Sequence, residues 1–317
     1  LTRGVFRFTN LYDFIGLDHL ALNWSVECDG KVLASGSAAI PPTAPHESAE
    51  ITIPEAVRHG LSGIGAHVTL SLTLAADTSW AEAGHEVAWG QFPLPVSAPA
   101  GATAVSGPAL ELRQMQSGVI VESDQMALLV SKVDGRLRHW DWEGRTLLID
   151  GPALSFFRPV TDNDRALGVR KWWEGPDLKH FVSKLLDLSV EPEGDGVRII
   201  ADTRLSPPNQ RRAFTCRYDY LVEPDGTLRL KVSGEPSDNW EDSDILLRIG
   251  LDLRLPGELS RVAWYGLGPG ESYPDTWEAQ RMGLWRGDVD HLSTPYVYPQ
   301  ENGSRSRTRW VTLADDR

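Results

Sequence analysis

The sequence predicts an all-β protein, and three observations predict it. Apolar and polar residues alternate along stretch after stretch. Val68, Leu70, Leu72 and Leu74 stand against His67, Thr69, Ser71 and Thr73, and Leu247, Ile249, Leu251, Leu253 and Leu255 against Arg248, Gly250, Asp252 and Arg254. A period of two puts one set on a buried strand face and the other on the opposite face. Acid-glycine dipeptides punctuate these runs at Asp29-Gly30, Asp134-Gly135, Glu143-Gly144 and Asp225-Gly226, where glycine takes positive φ at no steric cost. Helical periodicity is scarce, with Pro54 to Gly60 offering a turn or two at most.

In chain order, strands are expected near 4–14, 19–28, 31–40, 47–53, 65–76 and 85–95. That count and spacing suit a two-sheet sandwich of immunoglobulin type over residues 1–96. Residues 97–109, SAPAGATAVSGPA, are small, rich in Pro and Gly and without period, as a linker is. Residues 110–317 carry longer strands, more than one small sandwich needs, and read as a large sandwich of antiparallel sheets.

Bulk properties narrow the function. The 317 residues are 41% hydrophobic and 24% charged, with a formal net charge of −13. That acidity argues against nucleic acid, whose phosphates favour a basic face. No apolar run approaches the roughly 18 residues of a membrane-spanning helix. Cys28 and Cys216 each share a strand face with apolar neighbours, so both read as small buried hydrophobes. With no charged-then-apolar leader after Leu1, a cytoplasmic setting is expected.

Three segments concentrate polar and aromatic chemistry. The first is FFRPVTDNDRALGVRKWWEG, 156–175. Its Asp162-Asn163-Asp164 has the look of a cation loop but lacks the further spaced oxygen ligands, mid-loop glycine and closing Glu that calcium requires. The plainer reading is acids and amide capping their own turn. Arg165 to Trp173 would suit the rim of a carbohydrate pocket, with Trp172 and Trp173 stacking on sugar C–H faces; packing of those indoles in a hairpin or core is an equal alternative. The second segment is WYGLGPGESYPDTW, 264–277. Pro269 and Pro274 forbid the helix a phosphate loop needs, so Gly266, Gly268 and Gly270 serve sharp turning, anchored by Glu271 and Asp275. The third is TPYVYPQENGSRSRTRW, 294–310. Pro295 and Pro299 mark edge or irregular chain, and Asn302-Gly303 a tight turn. Arg305, Arg307 and Arg309 then line one face of a strand, able to pair with Glu301 or Glu271. Those two glutamates are also a conceivable glycosidase pair; structural ion pairing is the stronger reading. The histidines have no metal-ligand spacing, and no G-x-S-x-G element occurs.

In this order, RPVTDND at 158–164, WYGLGP at 264–269 with Glu271, Tyr273 and Asp275, and TPYVYP at 294–299 with Glu301, Asn302, Gly303 and Arg305 resemble the C-terminal part of the bacterial β-galactosidases of glycoside hydrolase family 2. LNWSVECDGKVLASG at 22–36 resembles the sandwich that follows the catalytic barrel there. The resemblance implies an immunoglobulin-like sandwich followed by a galactose-mutarotase-like super-sandwich whose last strands are missing here. Its motif residues, Arg158, Gly266, Gly268, Glu271, Tyr273, Asp275, Tyr296, Glu301, Asn302 and Arg305, are then scaffold. It implies further that the catalytic glutamates, with the Mg2+ and Na+ sites, lie on a TIM barrel preceding residue 1. This fragment then has no catalytic residue, cofactor or metal of its own and is inactive alone. It is a non-catalytic, carbohydrate-binding scaffold for an enzyme that hydrolyses terminal β-D-galactosides, with Asp162, Asn163, Asp164, Arg165, Trp172 and Trp173 as rim candidates. Ala166 stands where glycine is common in the family, with Gly168 two positions on. The partners implied are the barrel, a β-galactoside at the rim, and further copies in a homo-oligomer. The alternative is a free-standing sugar-binding or aldose-epimerase-like module, with Glu271 or Glu301 and His180 or His291 as its loose acid and base.

Overall fold

The computed structural model describes residues 4–54, 59–98, 106–168, 177–241 and 245–315. Six strands open the chain: β1 (Val5–Thr9), β2 (Leu20–Cys28), β3 (Lys31–Ala38), β4 (Ser48–Thr52), β5 (Ala66–Leu74) and β6 (Glu86–Leu94). They form a two-stranded sheet β1-β4 and a four-stranded antiparallel sheet ordered β3-β2-β5-β6. Phe6, Ile51 and Ile53 meet Leu22, Val26 and Val68 in one core. Asp29 (φ 50°) and Gly30 (φ 80°) close the β2–β3 hairpin in two residues, between the paired Cys28 and Lys31. Strand β1 ends earlier than the expected residue 14, and Asn10 is the reason. Its buried side chain donates to the Ile15 (2.9 Å) and Thr43 (3.1 Å) carbonyls and accepts from the Tyr12 N–H (2.9 Å), giving the backbone a turn in place of a ladder.

Next come β7 (Glu111–Gln114), β8 (Gly118–Glu122), β9 (Met126–Ser131), β10 (Leu137–Trp142) and β11 (Arg145–Leu148), an antiparallel meander in the order β11-β10-β9-β8-β7. After β12 (Asp150–Ser155) and the short helix α1 (Asp162–Ala166) follow β13 (Val182–Glu193), β14 (Gly196–Ser206), β15 (Phe214–Val222) and β16 (Leu228–Pro236), a second meander. The two meanders share one core: Val119, Val121, Leu128 and Val130 from the first, Ile199, Ala201, Cys216, Tyr218 and Tyr220 from the second. Cys28 and Cys216 are both buried and free, as expected, and burial pushes the Cys216 thiol up to about 11.

The alternation at 247–255 yields a shorter strand, β17 (Gly250–Arg254), paired with β12 alone. Leu247 and Leu255 pack on the core, while Ile249, Leu251 and Leu253 are 72%, 40% and 52% exposed. Among the described residues no second layer covers the middle of that face, so the period was right and the burial was not.

The last strands, β18 (Arg261–Gly268), β19 (Arg281–Asp288) and β20 (Trp310–Ala314), form a sheet ordered β19-β18-β20. By compactness the chain divides into a first unit of 1–101, 260–294 and 302–317 and a second of 102–259 and 295–301. This last sheet falls in the first of these units. Long-range bonds hold it there: the Tyr265 hydroxyl donates to the Gly65 carbonyl (3.0 Å), and the Gln91 amide bonds both the N–H (2.7 Å) and carbonyl (2.8 Å) of Met282. No strand period reports such contacts. Of the expected linker, 99–105 lie outside the described residues.

Candidate functional site

In the second unit, the first loaded segment folds into α1 and its entry. Thr161 caps the helix: its Oγ1 accepts from the Asp164 N–H (3.2 Å), and Asp164 Oδ2 accepts from the Thr161 N–H (2.7 Å). This reciprocal box satisfies donors a helix start leaves open. Arg158 forks onto the same carboxylate at 2.6 and 3.3 Å. Burial works to raise the Asp164 pKa, but the Arg158 and Thr161 hydrogen bonds and the Arg158 charge together outweigh it and hold the carboxyl below its ordinary 3.8. Arg165 bonds Asp162, donates to the Pro299 carbonyl (2.8 Å) and lies 4.1 Å from the Tyr298 ring centre. Gln300 Oε1 accepts from the Asp162 N–H (2.8 Å), and Glu301 is ion-paired with Arg248.

Residues 158–165 and 298–301 are thus one structure. Asp162 and Asn163 are exposed at its surface with Ala166, Leu167 and Gly168, and Gly168 has the positive φ (61°) that suits glycine. Trp172 and Trp173 lie outside the described residues. The expected self-capping is present, with Thr161 rather than Asp162 or Asn163 as the cap.

In the first unit, the second segment meets the rest of the third. Glu271 accepts from the Gly303 N–H (2.9 Å), the Ser272 N–H donates to the Ser304 carbonyl (2.8 Å), and Ser272 Oγ accepts from the Ser306 N–H (2.7 Å). Asn302 Oδ1 accepts from the Thr294 N–H (3.2 Å). A Cβ on Gly266 would lie 2.8 Å from the Thr308 Cα, and one on Gly268 2.6 Å from the Trp285 ring, so these glycines permit close approach. Asp275 is exposed, and Thr276 closes the turn in its place, accepting from the Tyr273 N–H (2.9 Å).

The arginine row departs from expectation. Residues 305–309 are not a strand: Ser306 and Arg307 form a turn, Arg307 has φ 53°, and β20 begins at Trp310. A turn breaks the common face that alternation would give. Arg305 is partly buried over the Trp264 ring (5.4 Å) and donates to the Gly303 carbonyl (3.0 Å); burial draws its pKa down against the opposing charge of Glu271. Glu301 takes Arg248, and no motif marked that partner. Tyr296 is 40% exposed.

Each glutamate of the conceivable glycosidase pair is therefore engaged within its own unit by a structural donor. His180 is paired with Asp177 at 2.6 Å, and His291 is exposed at the end of a short turn. Among the described residues no three His, Cys, Asp or Glu side chains gather as ligands. No helix among them is long and apolar enough to cross a membrane.

The family model described as beta galactosidase small chain matches residues 122–317, and that of beta-galactosidase domain 4 matches 6–95. The beta-galactosidase of Priestia megaterium is 30% identical over 318 residues, covering 99% of this chain and 30% of the relative. That of Klebsiella pneumoniae is 29% identical over 325 residues, with 96% and 30% covered. That of Kluyveromyces lactis is 28% identical, with 99% and 29% covered. The chain spans about 30% of the length of these curated relatives. With both matches running in the order of its strands, the chain belongs to the beta-galactosidase small chain family.

Proposed function

We propose that this chain is a non-catalytic region of a family 2 β-galactosidase, one that shapes and edges a pocket for terminal β-D-galactosides. In this reading the bond-breaking carboxylates belong to polypeptide outside the chain, a TIM barrel that also binds Mg2+ and Na+. The exposed side of α1, with Asp162, Asn163 and Arg165, and Trp172 and Trp173 beyond it, edges the sugar. The assembled enzyme is a cytoplasmic homo-oligomer.

One observation carries the proposal: apart from the exposed Asp275, the motif carboxylates have structural work. Asp162 is held by Arg165, Asp164 by Arg158, Glu301 by Arg248 and Glu271 by the Gly303 N–H. Glycoside hydrolysis needs two carboxyls roughly 5–9.5 Å apart, one of them able to give up a proton. Oxygens taken up by guanidinium and backbone donors do not meet that need. The test is turnover of a chromogenic β-galactoside by the purified chain. Background rates are expected alone, and activity on mixing with the part of the Priestia megaterium relative outside the 30% that matches this chain. Turnover by the chain alone would overturn the proposal.

A further inference from the structure

Of the three alternating arginines, Arg305 has its charge answered by Glu271. Arg307 and Arg309 are exposed, and neither has an ion pair among the described residues. Both line a groove of about 880 Å³ within the first unit. Trp89, Trp277 and His67 also line it, and Glu278, exposed, is the one acid among its lining residues. The Arg307 guanidinium sits 4.6 Å from the Trp277 ring centre, with its backbone in the left-handed region at φ 53°. Burial first, and then the fields of Arg309 and Arg307, hold the His67 imidazole below its ordinary 6.5. Both guanidiniums thus act on an imidazole that lines the same groove.

We infer that this groove is an oxyanion-binding site, in which Arg307 and Arg309 take a carboxylate or sulfate group while Trp89 and Trp277 wall the carbon skeleton of an organic acid. Guanidinium presents paired donors in the plane that such oxygens match. Sugar acids and inorganic oxyanions share this chemistry. The site is independent of the proposed catalytic assignment, since it asks nothing of a galactoside pocket.

The experiment is an NMR titration of the purified 317-residue chain at low ionic strength with sulfate, D-galacturonate and, as the neutral counterpart, D-galactose. Saturable shifts of the His67 ring and Trp277 indole signals are expected with both anions and not with galactose. Tighter galacturonate than sulfate identifies an organic acid as the ligand; equal affinities identify the oxyanion alone, and either supports the site. Arg309→Gln and Arg307→Asn should each weaken binding about tenfold or more. Asparagine tolerates the left-handed backbone, so the second variant removes charge without a new strain, and far-UV circular dichroism checks both folds. No saturable shift with either anion, binding of galactose equal to that of galacturonate, or anion affinity unchanged in both variants would overturn the inference.

Discussion

The two clusters that hold the motif residues are built by different physics. In the second unit, Arg158, Asp164, Arg165, Asp162, Arg248 and Glu301 are joined mainly by guanidinium–carboxylate bonds. In the first, Gly266, Gly268, Glu271, Ser272 and Gly303 are joined by backbone donors and by chains approaching closer than a Cβ allows. The third motif contributes to both, with 295–301 in one unit and 302–310 in the other. One stretch of sequence can thus look uniformly charged and aromatic while one half acts by charge and the other by shape.

The largest expected effect tests shape. Gly266→Ala places a methyl 2.8 Å from the Thr308 Cα, and backbone does not yield as a side-chain tip does. About 3 kcal/mol of lost stability in denaturant unfolding is expected; a loss below about 0.5 kcal/mol would break the comparison. Next, Glu301→Ala leaves Arg248 without its partner. Glu301 is 9% exposed in its side chain but Arg248 39%, so solvent recovers part of the loss, and about 1–2 kcal/mol is expected. High salt should narrow that difference while leaving the glycine effect unchanged.

Acid sharpens the same contrast. Asp134, Asp164 and Asp202 of the second unit are all held below their ordinary 3.8. At Asp134 and Asp164 hydrogen bonds and arginine charge outweigh burial; at Asp202 the Arg217 hydrogen bond is the main cause. A carboxyl with a depressed folded pKa stabilises the fold fully well above 3.8 and loses that contribution as pH falls through its folded value. Stability should therefore fall below about pH 4, and Asp164→Asn should show a shallower fall, by thermal unfolding between pH 2 and 6. An unchanged slope would separate Asp164 from the second unit's acid sensitivity. The smallest effect is local: in Arg309→Gln the His67 pKa should rise toward 6.5, since one opposing charge is gone, read by NMR titration of the ring.

Much of the scaffold was legible. Gly30, Gly135, Gly144 and Gly226 all have positive φ where acid-glycine turns were expected, and β2, β3, β5 and β6 fall within two residues of their expected ends. The capping role of the Asp162-Asn163-Asp164 stretch was legible in kind, because Asx and Thr chemistry is local. Arg248 as partner of Glu301, Thr276 in place of Asp275, and the turn at Ser306–Arg307 were not. The first depends on a residue brought close from a distant segment and the last on a backbone break inside an apparently regular alternation. Thr276 and Asp275 are neighbours between which residue type alone does not choose.

The sequence by itself determined that the chain is all-β, most strands of the opening sandwich, the acid-glycine reversals, and that several motif carboxylates stand near arginines, since these follow from side-chain period, glycine conformation and charge within a few residues. Only the tertiary structure decided which arginine meets which carboxylate, that β18, β19 and β20 group with the opening sandwich, and that Ile249, Leu251 and Leu253 face outward. Those outcomes depend on packing between segments as much as two hundred residues apart, and alternation says which residues share a face without saying what covers it.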